Sequence, residues 1–228
     1  MNRRVLAAAL TAAAILAAGC SGGASGNVTA RETGGTRPAP VTSPSTIAPL
    51  PRVLMLGDSN LFQSGPEVEA ALLDVGVVPT LLGVPGYGLK DLDTFWLAKL
   101  PGLLEAHPEV VLVGLGTNDA SDPRDLQRFP GRLDQMMTAL GNRPVIWITH
   151  VDDRPGAPPT AGRAINAFIR DAVDRWPNLS VLDFAKTIRE YPTVLRGDGL
   201  HFSPEGMHVY AREIAAATER RLRLSGLD

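Results

Sequence analysis

The 228-residue chain contains one cysteine, Cys20, so no disulfide can form within it. Aromatic residues make up 5% of it, too few for a long groove that stacks sugar rings. Basic residues form no cluster and the formal net charge is −2, so no nucleic-acid partner is expected. There is no internal repeat, which excludes solenoids and propellers. The apolar run Val5–Gly19 is too short and too rich in alanine for a comfortable membrane span.

That run has a different use. Arg3 and Arg4 precede it, and small residues, Ala17-Ala18-Gly19, end it directly before Cys20. Residues 1–19 therefore read as an export leader. The Ala-Ala-Gly-Cys end resembles the lipobox of bacterial lipoproteins, although Ala17 stands where leucine is most usual. The resemblance implies lipidation of Cys20 and a mature chain that begins there. A plain secretory cleavage site is the alternative. Loss of Arg3 and Arg4 with the leader would take the net charge from −2 to −4. Residues 20–51 follow as a Ser/Gly/Thr/Pro-rich tether with no hydrophobic period, spanning roughly 30 Å as a flexible coil. The expected location is the outer face of the cytoplasmic membrane, or the exterior if Cys20 carries no lipid.

Residues 52–228 are long enough for one domain with a real core. They are organised around Leu54-Met55-Leu56-Gly57-Asp58-Ser59-Asn60. Val53–Leu56 reads as a buried strand, and Gly57 breaks it. Ser59 then stands at the carboxyl end of a strand, where open α/β sheets bind ligands, and at the start of a helix. It suits a nucleophile if a histidine reaches it. It equally suits a helix N-cap, as does Asp58.

Further strands are expected at 77–82, 109–115, 144–149 and 179–183. Helices are expected at 61–75, 89–104, 125–140, 163–176 and from Pro204 to about Leu224, the last capped by Ser203. The stretch to Gly199 reads as irregular. Ile165, Phe168, Ile169 and Val173 share one helix face, and Trp147 and Trp176 read as core. Strand and helix alternate, which predicts a three-layer α/β/α fold with a five-stranded parallel sheet. Ser59, Gly86, Asn118 and the Asp198–His201 segment would then share one rim of that sheet.

Four short blocks carry the chemistry: Gly57-Asp58-Ser59, the loop glycine Gly86, Gly116-Thr117-Asn118-Asp119, and Asp198-Gly199-Leu200-His201. Each is weak alone. Asn118 and Asp119 could be turn formers, and Asp198-Gly199 is an ordinary turn pair. In this order and spacing the set resembles the SGNH (GDSL-type) hydrolase family, named for its Ser, Gly, Asn and His. Asn60 departs from the apolar residue frequent there, which is not expected to touch the chemistry. Gly88 competes with Gly86, and spacing from the strand favours Gly86. The G-x-S-x-G elbow of α/β-hydrolases is absent, because Leu61 stands at its second glycine.

The resemblance implies an SGNH/flavodoxin-like hydrolase fold and a Ser59–His201–Asp198 triad. It also implies an oxyanion hole from Ser59, Gly86 and Asn118. No cofactor or metal is expected. His208 lies inside the last predicted helix and is a weak competitor base; His107 reads as structural. His150 with Asp152 and Asp153 could hold a metal, line a cleft or form a solvated loop, the last two preferred for want of further ligands. The expected activity is an exported serine esterase acting on O-acyl, chiefly O-acetyl, esters, with cell-wall polysaccharide as a candidate substrate and the chain a monomer. An O-acyltransferase using the same acyl-serine, or a lipase or thioesterase, is the near alternative. Asp183–Tyr210 resembles the extracellular domains of bacterial membrane acyltransferases that O-acetylate wall polysaccharides. A metallophosphoesterase lacks its D-x-H near the first strand, and a non-catalytic glycan-binding lipoprotein is the remaining class.

Overall fold

Strands covered on both faces must be apolar along their whole length; Val53–Leu56, 110–113 and Val145–Ile148 are such runs, whereas those at Val78–Gly83 and Leu179–Leu182 carry Thr80 and Ser180 and are only partly buried. The computed structural model describes residues 49–226. The expected leader, Cys20 and the tether up to residue 48 lie outside the described residues. One parallel sheet contains β1 (Arg52–Gly57), β2 (Val78–Gly83), β3 (Val110–Gly114), β4 (Val145–Ile148) and β5 (Leu179–Leu182), in the order β2-β1-β3-β4-β5. The predicted three-layer architecture is the one observed.

Successive residues along a strand face opposite sides, and each side has its own core. Leu54, Leu56, Val111, Val113 and Trp147 face α2 (Leu97–Leu104), α3 (Pro123–Leu140) and α4 (Ala161–Asp171). Val53, Met55, Leu112, Ile146 and Ile148 face α1 (Ser59–Asp74), α5 (Phe184–Glu190) and α6 (Pro204–Leu224). Among the described residues no helix is long and apolar enough to cross a membrane.

Several local expectations shift. α3 runs unbroken from Pro123, with Asp122 capping the Arg124 amide, despite Pro130 and Gly131 inside it. A mid-helix proline costs about 3 kcal/mol; the buried stripe Phe129, Leu133, Met136, Met137 and Leu140 offsets that. The expected helix over 89–104 is three pieces: a 3₁₀ turn (Leu89–Asp91), a wide π turn (Leu92–Trp96) and α2. α4 ends at Asp171 and tightens into a 3₁₀ turn over Ala172–Asp174. The tighter turn rotates Val173 off the apolar face, and it is exposed rather than packed. Trp147 is fully buried, whereas Trp176 is partly open, its indole N–H donating to Asp134 Oδ1 at 2.7 Å.

The stretch before Gly199 is not irregular. It holds α5 and a 3₁₀ turn over Pro192–Val194. α5 buries only Phe184, Ala185 and Ile188, too short a stripe to register as a period. Asp183 caps it, taking the Lys186 amide at 3.3 Å.

α6 presses its first turn onto the Pro192–Val194 turn. A Cβ on Gly206 would overlap the Val194 carbonyl, whereas one on Gly131 of α3 would meet nothing within 4 Å. Alanine normally stabilises a helix relative to glycine. We therefore expect Gly131→Ala to raise stability by about 0.5–1 kcal/mol. Gly206→Ala should lower it by about 1–3 kcal/mol, through overpacking. Urea unfolding of the two variants measures both signs.

Candidate active site

The register of the three central strands sets the rim. Gly57 at the end of β1 pairs with Gly83 of β2 on one side and Gly114 of β3 on the other. Ser59, Gly86 and Asn118 follow within a few residues of that row. At Gly83 a side chain would run into the backbone of Phe62, so the glycine lets the first turn of α1 lie directly on the sheet edge.

Asp58 caps α1: its Oδ1 accepts the Asn60 amide at 2.9 Å. Ser59 is then the first helical residue and its hydroxyl is not used as a cap. Ser59 Oγ lies 3.1 Å from His201 Nε2, and His201 Nδ1 lies 2.8 Å from Asp198 Oδ2. Asp198 Oδ1 accepts the Leu200 and His201 amides, each at 2.9 Å. Those two amides and the imidazole hold its carboxyl down at about 2, so it is charged at any neutral pH. The turn containing His201 is tied off by Arg196 N donating to His201 O at 2.8 Å and by an antiparallel bridge between Leu195 and Phe202. Gly199 takes φ +65 at its tip.

Asn60 is more than a departure from a motif. Its Nδ2 donates to Leu200 O and its Oδ1 accepts the Phe202 amide, both at 3.3 Å. It thus spans from the serine helix to the residues on either side of His201. An apolar residue there could pack but could not tie the turn. Nothing in the spacing of the sequence signals this.

The loop after β2 is held from two sides. Asn118 Nδ2 donates to Tyr87 O at 2.9 Å. Asp119, fully buried, accepts Leu89 N at 2.9 Å and Lys90 N at 2.6 Å. It approaches so closely that any side chain on Gly88 would overlap its carboxylate. The Gly88 amide is already bonded to Asp91 Oδ2 at 2.9 Å. Gly86, at φ +80, has nothing within 4 Å of where a side chain would stand, and its amide has no acceptor among the described residues. Asn118 has a second amide hydrogen beyond the one on Tyr87. The rim therefore presents amide donors from Ser59, Gly86 and Asn118 beside a hydroxyl paired with an imidazole. Such a set can attack a carbonyl carbon and hold the oxygen that becomes negative.

His208 lies in α6 and His107 in a turn at φ 51; neither is bonded to Ser59. His150 is not in a solvated loop. It is largely buried, with Nε2 donating to Leu115 O at 2.9 Å and its amide to Asn166 Oδ1 at 2.8 Å. Asp152 pairs with Arg189 at 2.6 Å and Asp153 with Arg163 at 2.5 Å. Among the described residues no group of three or more His, Cys, Asp or Glu is placed to hold a metal ion.

Burial pushes the Asp119 carboxyl up to about 7, against the pull of the Leu89 and Lys90 amides and of Arg132. A carboxyl with a higher pKa folded than unfolded takes up a proton on folding between about pH 4 and 7. Its stabilising contribution is present below that window and is lost as pH rises through it. The stability advantage of wild type over Asp119→Asn should therefore shrink from pH 4 to 7 and level off above, read by urea unfolding. Asp119→Ala should cost roughly 1–3 kcal/mol for each amide it leaves without an acceptor.

The comparisons with known proteins bear on the family and the fold. No curated protein matches the sequence significantly. Among solved structures, a lipase/acylhydrolase from Enterococcus faecalis superposes with a TM-score of 0.65 at 26% identity, covering 75% of this chain and 97% of that one. The C-terminal catalytic domain of peptidoglycan O-acetyltransferase A from Streptococcus pneumoniae gives 0.59 at 17%, covering 78% and 96%. An acetyl xylan esterase gives 0.59 at 20%, covering 73% and 98%. These last two share the fold. The family model for GDSL-like lipases/acylhydrolases matches residues 55–209. The chain belongs to the GDSL-like lipase/acylhydrolase family and is an ester-hydrolysing enzyme of that type.

Proposed function

We propose that the enzyme cleaves O-acyl esters, chiefly O-acetyl esters on cell-surface glycan, with Ser59 as its nucleophile. The observation that carries this is the unbroken relay Ser59 Oγ, His201 Nε2, His201 Nδ1, Asp198 Oδ2, at 3.1 and 2.8 Å. His201 takes the hydroxyl proton as Ser59 attacks the acyl carbon, and the Ser59 and Gly86 amides and Asn118 Nδ2 receive the oxyanion. The imidazolium, steadied by Asp198, then protonates the leaving alkoxide, which departs as an alcohol and leaves an acyl-serine. Water, deprotonated by His201, attacks the acyl carbon. The carboxylic acid departs and Ser59 regains its proton.

The glycan part rests on the N-terminal pattern: an export leader, Cys20 as a lipid anchor and a tether of about 30 residues would hold the domain outside the cytoplasmic membrane, as a monomer, facing the cell wall. Acetyl is the acyl group named for two of the proteins with this fold, which makes acetyl esters the first substrates to assay. Transfer to a sugar hydroxyl would use the same acyl-serine. Acetyl release with and without a glycan acceptor separates the two outcomes.

A fluorophosphonate probe should label wild type and not Ser59→Ala. An unlabelled wild type would overturn the serine mechanism, and equal labelling of both would move the nucleophile elsewhere. His201→Ala should lose at least ~10⁴-fold in kcat. Its melting temperature should hold nearly constant, since the imidazole is partly exposed in a turn. Asn118→Ala should lose about 100–1,000-fold.

A further inference from the structure

Beside Asp58 and Asn60, the residues on either side of Ser59, and on the α6 side of the sheet edge lies a small, partly enclosed cavity of about 10 Å³, room for the centre of one water molecule. Asp58, Thr117, His150 and Tyr210 line it. They come from four separate places in the fold: the α1 cap, the loop after β3, the segment just after β4 and the second turn of α6.

Each brings a polar atom that the protein does not pair among the described residues. Asp58 is 2% exposed and spends Oδ1 on the Asn60 amide; its Oδ2 accepts nothing at hydrogen-bonding geometry. The Thr117 hydroxyl is buried and lies close enough to Asp58 to favour its charged form, yet makes no well-formed hydrogen bond. The Tyr210 hydroxyl sits against Gly114 at the end of β3, where even a methyl group would stand only 3.1 Å from it, and donates to no acceptor among the described residues. His150 commits Nε2 to Leu115 O and keeps Nδ1 unpaired. A buried polar atom without a partner is rare, and the Thr117 hydroxyl is one; with three further unpaired polar atoms round the same water-sized space, it calls for a shared partner.

We propose that this cavity binds a single ordered water that joins Asp58, Tyr210 and His150 into one network, making His150 and Tyr210 positioning residues for Ser59. The assignment rests on Ser59 being the nucleophile. The water can donate to Asp58 Oδ2 and to His150 Nδ1 and accept from the Tyr210 hydroxyl. Asp58 is the residue that caps the serine helix, so fixing its carboxyl fixes the first turn and the Ser59 backbone.

The network also balances charge. Burial pushes the Asp58 carboxyl up and the His150 imidazole down, and their mutual attraction opposes both shifts. His201 also neighbours Asp58, and Tyr210, whose own ionisation burial and Asp58 oppose, stays a neutral donor. With rising pH the raised carboxyl loses stabilisation while the lowered imidazole gains it, so the pair's contributions partly cancel. Removing the imidazole leaves only the loss.

Three measurements test this. A high-resolution crystal structure of wild type should show one water within hydrogen-bond reach of the Asp58 carboxyl and the Tyr210 hydroxyl; density showing no water there overturns the proposal. Tyr210→Phe keeps the ring and removes the hydroxyl. With p-nitrophenyl acetate it should lower kcat about 10- to 100-fold at nearly constant KM, and a kcat within twofold of wild type overturns the positioning role. Between pH 4 and 8 the melting temperature of His150→Phe should fall more steeply than that of wild type. Asp58→Asn/His150→Phe, which keeps a competent helix cap, should lose that extra slope. Equal slopes for the single and double variants overturn the charge balance. If His150→Phe does not fold, the water and Tyr210→Phe decide. The crystallographic and thermal readouts need no turnover, so they remain distinct from failure of the probe to label Ser59.

Discussion

The site depends on the register of three parallel strands. Gly57 must stand beside both Gly83 and Gly114, because Ser59, Gly86 and Asn118 are all counted outward from that row. A slip of one residue would move the end of β1 by about 3.3 Å, more than the whole 3.1 Å from Ser59 Oγ to His201 Nε2. It would also exchange the two sets of β1 side chains between the cores, sending Leu54 and Leu56 where Val53 and Met55 now pack. Because both faces of β1 are buried, a slip is resisted from two sides. The register that the cores enforce is the one that the rim requires.

Three aspartates near this rim show how environment sets use. Asp198 is nearly half exposed, and its two backbone amides and the imidazole hold it charged. Asp119 is fully buried, and burial outweighs its amide donors and a distant arginine. It acts as a backbone clamp, drawing the segment after Gly86 toward the end of β3. Asp58 is also buried, but it serves as a helix cap and faces an imidazole across a cavity. Any of the three could have been read as the partner of His201; only the one with both solvent access and a turn spacing of three residues reaches its Nδ1.

Much of this is legible in the amino-acid sequence. The five strand-like runs, their alternation with helical periods and the four short blocks point to the sheet, its layers and the family. What escaped was whatever depends on contacts distant in sequence. α5 escaped because Phe184, Ala185 and Ile188 are its whole buried stripe. Asn60 looks like a harmless departure in the sequence because its partners, Leu200 and Phe202, are 140 residues or more away. Asp119 looked like a turn former, since the amides it binds are 29 and 30 residues earlier. The sequence leaves His150 between cleft lining and a solvated loop, because its neighbours Asp152 and Asp153 are polar. The carbonyl that turns it inward belongs to another strand's end.

One ambiguity in the sequence is instructive because both of its readings invoke the same helix end. A serine that caps a helix spends its Oγ on an amide two or three residues ahead. A serine that attacks a carbonyl needs that oxygen beside a base. The chain separates the two tasks by one residue. Asp58 takes the cap, with Oδ1 on the Asn60 amide, and leaves Ser59 as the first helical residue with its hydroxyl 3.1 Å from His201. The Ser59 amide is then one of the donors that a helix start leaves unpaired. The acid before the serine thus has a physical reason to be there: without a cap at 58 the hydroxyl at 59 would be the nearest group able to satisfy the helix.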